Sequence, residues 1–415
     1  MDTLTEPGAG VSADELAELE AGIRAAEPAY LADLERLVNT DCGSYTPEGV
    51  DEIGAFVAGF LETAGARVER RPDPDGRLGA TVIGTWDGDR GTAGGPRLLL
   101  IGHMDTVFDP GTAAERPFAI DADGIARGPG VTDMKSGLLA GLYALRANAE
   151  RGPLPFERVT FIANPDEEIG SPSSTPHIRE VAADSDACLV LECARASGAI
   201  VSSRKGILDA RIAVHGRAAH AGVEPEKGRS AVLAAADLIQ RLHALNGRWD
   251  GVTVNVGVVH AGTRPNVVAE RANLEVDLRA VRRADLETAE AEIRAMLMSL
   301  PVPDTTAELS EMARWWPMEK LERSGRLVEH AQALAGRLGF EAPDVATGGA
   351  SDANTTSGMG VASLDGLGPV GGLDHSPDEY LEVASIVPRT ALVAALVLAI
   401  GRDPEIRRWR EAVPA

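Results

Sequence analysis

The sequence predicts an α/β fold, with a mixed, mostly parallel sheet covered by helices and a smaller inserted α+β domain. Two observations predict it. Short apolar runs punctuated by Gly, Pro and Asp alternate with stretches of helical periodicity through the first half of the chain. From about Lys205 the rhythm becomes strand, helix, strand, strand, helix, strand, and after Trp316 the punctuated apolar runs return. At 415 residues the chain is long enough for two cores.

The first helix is expected from Ser12 to Val38, where Leu16, Leu19, Ile23 and Ala26 keep helical spacing behind a Ser12-Ala-Asp-Glu15 capping pattern. A second runs from Val50 to Ala64. Strands are expected at Leu78–Trp86, Arg97–Gly102, Val159–Ala163 and Ala187–Leu191, with helices at Met134–Arg146 and Thr175–Val181 between them. This alternation implies parallel strands, whose ligands gather at their carboxyl ends. In the insert, strands are expected at Gly206–His215, Val252–His260, Ala272–Arg279 and Thr305–Ala313, and helices at Ser230–Leu245 and Leu286–Leu300. The domains predicted are 1–204 and 316–415, the two parts of one catalytic domain, and 205–315, a split ferredoxin-like insert.

The composition is that of a folded protein, with 44% hydrophobic and 25% charged residues. A formal net charge of -23 would repel a phosphate backbone, so no nucleic-acid partner is expected. Met1–Gly10 lacks a basic region followed by an apolar run, and no stretch reads as the ~18 apolar residues of a membrane span. A cytoplasmic location and no membrane partner are the expectations. Cys42, Cys188 and Cys193 show no metal-binding or disulfide spacing and read as small buried hydrophobes. The loop from Asp87 to Gly95, rich in Gly and Asp, is the one tract of biased composition.

The chemically loaded residues follow the expected strands. His103 and Asp105 stand two apart after Leu98–Ile101, a spacing that points both to the same side of an extended segment. A carboxylate there can hold a metal-bound imidazole in one tautomer. Asp133 lies where a Gly-rich turn meets a helix, a position also suited to an ordinary cap. Glu167 and Glu168 follow the Phe161-Ile-Ala163 strand, Glu192 follows Leu189–Leu191, and His375 lies between Gly371 and Pro377. Carboxylate and imidazole donors without cysteine suit a catalytic site for zinc or a similar metal, and two ions sharing one carboxylate would use five such ligands.

The strings GHMDTV, GPGVTDMKSG, NPDEEIG, LEC, RAAHAG and GGLDHSPDEY occur in this order over nearly the whole chain. They resemble the family of acetylornithine deacetylase, succinyl-diaminopimelate desuccinylase, aminoacylase and glutamate carboxypeptidase. The resemblance is greatest to the glutamate carboxypeptidase branch, around Gly368–Tyr380. It implies a zinc exopeptidase-like catalytic domain, an inserted dimerisation domain, and two zinc ions, with cobalt or manganese as alternatives in the cell. Asp133 would bridge the ions, His103 and Glu192 completing one site and Glu168 and His375 the other. Glu167 would be the general base, Asp105 would orient His103, and a cis peptide would follow Asp133.

The same resemblance gives His220 the stabilisation of the oxyanion in a neighbouring subunit, and hence implies a homodimer through the insert. Arg279, Asn266 and Gly349 become substrate contacts, the last through main-chain amides of the Gly348–Asp352 turn. Arg204, Lys205 and Arg314 are candidates for a second substrate carboxylate, and Asp374 for extra negative charge beside the second ion. The implied activity is hydrolysis of the amide bond of an N-acyl amino acid or short peptide with a free carboxylate, by attack of a metal-bridging hydroxide. A biosynthetic deacylase of the acetylornithine or succinyl-diaminopimelate type is the alternative, and a non-catalytic metal-binding protein a third reading.

Overall fold

Ser12 starts the first helix by reciprocal capping. Its hydroxyl accepts the Glu15 amide at 3.1 Å while the Glu15 carboxylate accepts the Ser12 amide at 2.9 Å, and the helix runs Ala13–Val38. The computed structural model describes residues 6–88, 92, 94–407 and 409. Parts of the Met1–Gly10 and Asp87–Gly95 segments therefore lie outside the described residues. The chain forms two compact units, one of Met1–Ser202, Lys320–Ala346 and Ser351–Ala415, the other of Ser203–Glu319 and Thr347–Ala350.

The larger unit is built on a six-stranded sheet in the spatial order Arg67–Arg71, Thr81–Asp87, Arg158–Asn164, Arg97–His103, Ala187–Val190, Ala362–Leu364. The last four strands are mutually parallel. Leu98–Ile101 is fully buried, as expected of an unbroken apolar run covered on both faces. The strand expected from Leu78 begins only at Thr81 and runs antiparallel to Arg158–Asn164, as does its own neighbour Arg67–Arg71 to it. Helices Ser136–Ala149 and Ile386–Arg402 pack on each other and on Ala13–Val38, while Asp352–Gly358 packs on the last two strands.

The expectation that no segment has the length and apolarity of a membrane span is corrected by one helix. Val383–Arg402 is long and apolar enough to cross a membrane, with a mean hydropathy of 2.1. Its apolar window is 78% buried within the protein. Residues Ala391–Val397 are wrapped on all sides by the core, which explains an apolar character with no polar face.

A small four-stranded sheet, in the order Gly371–Gly372, Tyr380–Glu382, Ile125–Arg127, Ala119–Ile120, has no counterpart among the strands expected from sequence. Its strands of two or three residues are too short to show a period.

In the smaller unit, Thr253–Ala261, Arg271–Ala280, Gly206–His215 and Thr306–Trp315 form an antiparallel sheet in that order. Helices Ala231–His243 and Arg283–Leu297 contact each other and the sheet. Leu208, Ala210, Ile212 and Val214 alternate into the shared core with Leu274, Val276 and Leu278.

Candidate metal centre

Parallel register brings the loaded loops together. His103 ends its strand opposite Asn164, and Leu191 follows the strand paired on the other side. The loops carrying His103, Glu167–Glu168 and Glu192 therefore leave the sheet at one edge. His103 is buried with Nδ1 3.0 Å from the Asp105 carbonyl and 3.3 Å from Asp105 Oδ1, which leaves Nε2 pointing at the other acids. Nε2 lies 3.1 Å from Asp133 Oδ1 and 3.6 Å from Glu192 Oε1.

The other Asp133 oxygen, Oδ2, lies 3.1 Å from His375 Nε2, which is also 3.1 Å from Glu168 Oε2. One carboxylate thus faces two imidazoles. His103, Asp133 and Glu168 offer ligand atoms all within 4.8 Å of one another, as do His103, Glu167 and Glu192. Such a set of oxygen and nitrogen donors, with its first histidine already oriented, fits metal ions. His375 holds a positive φ of 61° and Leu373 one of 59°, a left-handed backbone that non-glycine residues adopt at a cost. The peptide after Asp133 is cis, as the resemblance implied.

Crowding of like charges marks the site. Burial alone would lower the His103 imidazole, yet the charge of Glu192 and bonds to Asp105 and Asp133 hold it well above its ordinary value. Hydrogen bonds to Asp133 and Glu168 push His375 up to about 10. Burial raises the Glu167 carboxyl well above the usual range against the His103 charge, with Glu192, Asp352 and Glu168 adding to it. A buried carboxyl beside the donor atoms is suited to carrying a proton.

Several supporting groups were not legible in the sequence. Ser44 donates to Asp105 Oδ2 at 2.6 Å. Asp352 accepts the side chains of Asn164 and Ser171, the two ends of the loop that carries Glu167 and Glu168. Burial brings Asp352 up to about 7. Asp374, expected to add negative charge beside the second ion, has its Oδ2 3.6 Å from Arg195 Nη1, so a cation offsets it. The three cysteines are free and buried.

The remaining candidates belong to the smaller unit. His220 pairs with Val267 in a β-bridge, and its Nδ1 accepts the Gly222 amide at 3.1 Å, so a neutral ring carries its hydrogen on Nε2. The Asn266 carbonyl accepts the Ala221 amide at 3.0 Å beside it. Arg279 grips Asp277 through Nε and Nη2 and donates from Nη1 to the Gly348 carbonyl at 2.9 Å, next to Gly349. These are two separate groups. His215 pairs with Arg271 at one end of the sheet, before the His220 loop, whereas Arg279 pairs with Ile207 at the other. At ~3.4 Å per residue the strand separates them by roughly 25 Å. Arg204 donates to the Gly349 carbonyl at 3.1 Å, and Arg314 is held by Glu290 and Glu311.

The model of Peptidase family M20/M25/M40 matches residues 99–399. Carboxypeptidase G2 of Pseudomonas sp. (strain RS-16) is 32% identical over 384 residues, covering 90% of each chain. The chain is a member of the M20/M25/M40 peptidases. Succinyl-diaminopimelate desuccinylase of Leptothrix cholodnii is 28% identical over 370 residues, covering 83% of this chain and 92% of its own. The M20 fold is shared with the aminopeptidase PepT of Bacillus cereus, with a TM-score of 0.75, 23% identity and coverage of 91% and 99%. As an M20 protein, this chain is a hydrolase of amide bonds from a metal-dependent family.

Proposed function

We propose that this M20 member is a dinuclear zinc hydrolase that cleaves the amide bond of an N-acyl amino acid or short peptide with a free C-terminal carboxylate, in the manner of a glutamate carboxypeptidase. The observation that carries the reading is Asp133 facing both imidazoles at 3.1 Å, with Glu192 beside His103, Glu168 beside His375, and Glu167 among the same donor atoms. His103, Asp133 and Glu192 would hold one ion, and Asp133, Glu168 and His375 the other. Cobalt or manganese fits the same donors.

Bound, the ions polarise the scissile carbonyl and acidify a water. Glu167, buried among the donor atoms, takes the proton and delivers it to the leaving nitrogen. Asp105 keeps His103 in one tautomer. His220 donates from Nε2 to the oxyanion, while Arg279, Asn266 and the Gly349 turn receive the substrate. The separation of His220 and Asn266 from Arg279 within one unit supports a homodimer in which each site takes its His220, with the Asn266 beside it, from the partner. A cytoplasmic location is part of the same proposal.

The glutamate preference draws support from the resemblance around Gly368–Tyr380, and a carboxypeptidase activity from the 32% identity to Carboxypeptidase G2. It is tested by comparing kcat/KM for N-acyl-glutamate, N-acyl-leucine, N-acyl-lysine, N-acetylornithine and N-succinyl-diaminopimelate. Glutamate is expected to lead. Equal rates for the first three substrates remove the preference, and a lead for either of the last two assigns a biosynthetic deacylase. Hydrolysis untouched by chelation removes the whole reading.

A further inference from the structure

We infer that Glu379 is the positioning residue for Asp133, fastening the loop that carries His375 to the turn that carries the shared carboxylate. The inference rests on the reading of Asp133 and His375 as metal ligands and adds to it a group outside the ligand set. Glu379 is only 1% exposed. Its Oε2 accepts the Gly130 amide at 2.8 Å, and its Oε1 accepts the amides of Thr132 at 2.9 Å and Asp133 at 3.0 Å. A buried carboxylate is tolerated only where donors replace water, and here three main-chain donors of one turn do so.

The fastening acts at both ends. Tyr380, the next residue, pairs with Arg127 in the strand that leads into the Asp133 turn, and Arg127 Nη1 donates to the Asp378 carbonyl at 3.1 Å. At the start of the loop, Gly371 lies so close to Thr132 that an added Cβ would overlap its hydroxyl and the Tyr380 carbonyl. Glu379 follows His375 by one turn of loop, and the left-handed backbone of His375 is not a relaxed loop conformation. A bond from Glu379 to the Asp133 amide therefore fixes how far the shared carboxylate stands from His375. Sequence separations of 246 to 249 residues show that the tertiary fold alone makes this arrangement.

Wild-type protein titrated with zinc tests the underlying reading, which requires two ions per chain. Glu379→Gln then tests the inference. A carboxamide of equal size must turn its NH2 toward either the Gly130 amide or the Thr132 and Asp133 amides together, so one side of the turn loses its acceptor. Because Asp133 is shared by the two ions, zinc affinity is expected to fall about 10- to 100-fold at both sites while the melting temperature of the metal-free protein stays at the wild-type value. kcat falls at limiting zinc and recovers at saturating zinc, and KM stays within about twofold. Wild-type affinity for both ions overturns the inference. So does a proportionate weakening of both sites that follows a lowered melting temperature of the metal-free protein, which is what a purely structural role would give. If Glu379→Gln fails to fold, Glu379→Asp is titrated with the same expectations, and failure of both variants overturns the inference in favour of a folding role.

Discussion

Asp105 Oδ1 accepts the main-chain amide of Glu167 at 3.1 Å. Its other oxygen takes the Glu168 amide at 3.1 Å, and its carbonyl faces His103 Nδ1 at 3.0 Å. A single buried acid thus sets the ring of one proposed ligand and the loop position of the proposed base.

Asp105→Asn keeps one acceptor oxygen where the carboxylate has two. The amides of Glu167 and Glu168 then compete for it, and zinc affinity or kcat is expected to fall about 10- to 100-fold. Zinc titration and steady-state kinetics check this, and wild-type values in both would show that Asp105 orients nothing.

Glu167→Ala removes a proton carrier without removing a ligand from the proposed five. Metal content by elemental analysis should stay at the wild-type level while kcat falls by roughly 10²- to 10⁴-fold. Retained turnover contradicts the assignment.

His220→Ala should lower kcat by about 10²- to 10³-fold with zinc content unchanged. Mixed with Glu167→Ala under conditions that exchange subunits, it should recover activity that neither variant has alone. Each mixed dimer then contains one site with both groups intact. Absence of recovery, together with a monomer on sizing, removes the shared site.

Gly137 stands at the start of Ser136–Ala149, where an added Cβ would meet the Leu191 carbonyl just before Glu192. Gly137→Ala is expected to destabilise the protein by about 1–3 kcal/mol and to displace Glu192. A lowered melting temperature with reduced zinc affinity is the predicted pair of results, and an unchanged protein would show that the helix can shift at no cost.

Asp403 supplies a pH test away from the metals. Burial would raise its carboxyl, but hydrogen bonds from His330, the Glu405 amide and Arg326 bring it down to about 2. An unfolded Asp titrates at ~3.9. The folded value is depressed, so the stabilisation is complete above the unfolded value and disappears as pH falls through about 2. The difference in urea midpoint between wild type and Asp403→Asn should be constant from about pH 7 to 5 and shrink below ~4. A difference independent of pH would assign the effect to packing.

What could be read from the chain was what repeats or punctuates locally. Leu98–Ile101 is apolar throughout because both faces are covered, and His103 could be placed at its end without any structure. Ser12 and Glu15 announced their helix by spacing alone. Glu379 was invisible as a fastener because an acid after Ser376-Pro-Asp looks like any solvated loop charge, and its partners lie far back in the chain. The same holds for Asp352 with Ser171, and for Arg195, whose pairing with Asp374 no local pattern foretells. The helix within Val383–Arg402 went unassigned, since a helix enclosed by protein has no polar stripe to reveal its period.

The insertion of Ser203–Glu319 into the larger unit also sets a timetable for synthesis. Leu98–Ile101 is made early, but the helix Ile386–Arg402 that completes the same core is made more than two hundred residues later. The smaller unit has a core of its own and leaves the ribosome whole in the interval. During that interval the apolar surface of the larger unit waits for the helix that will bury it.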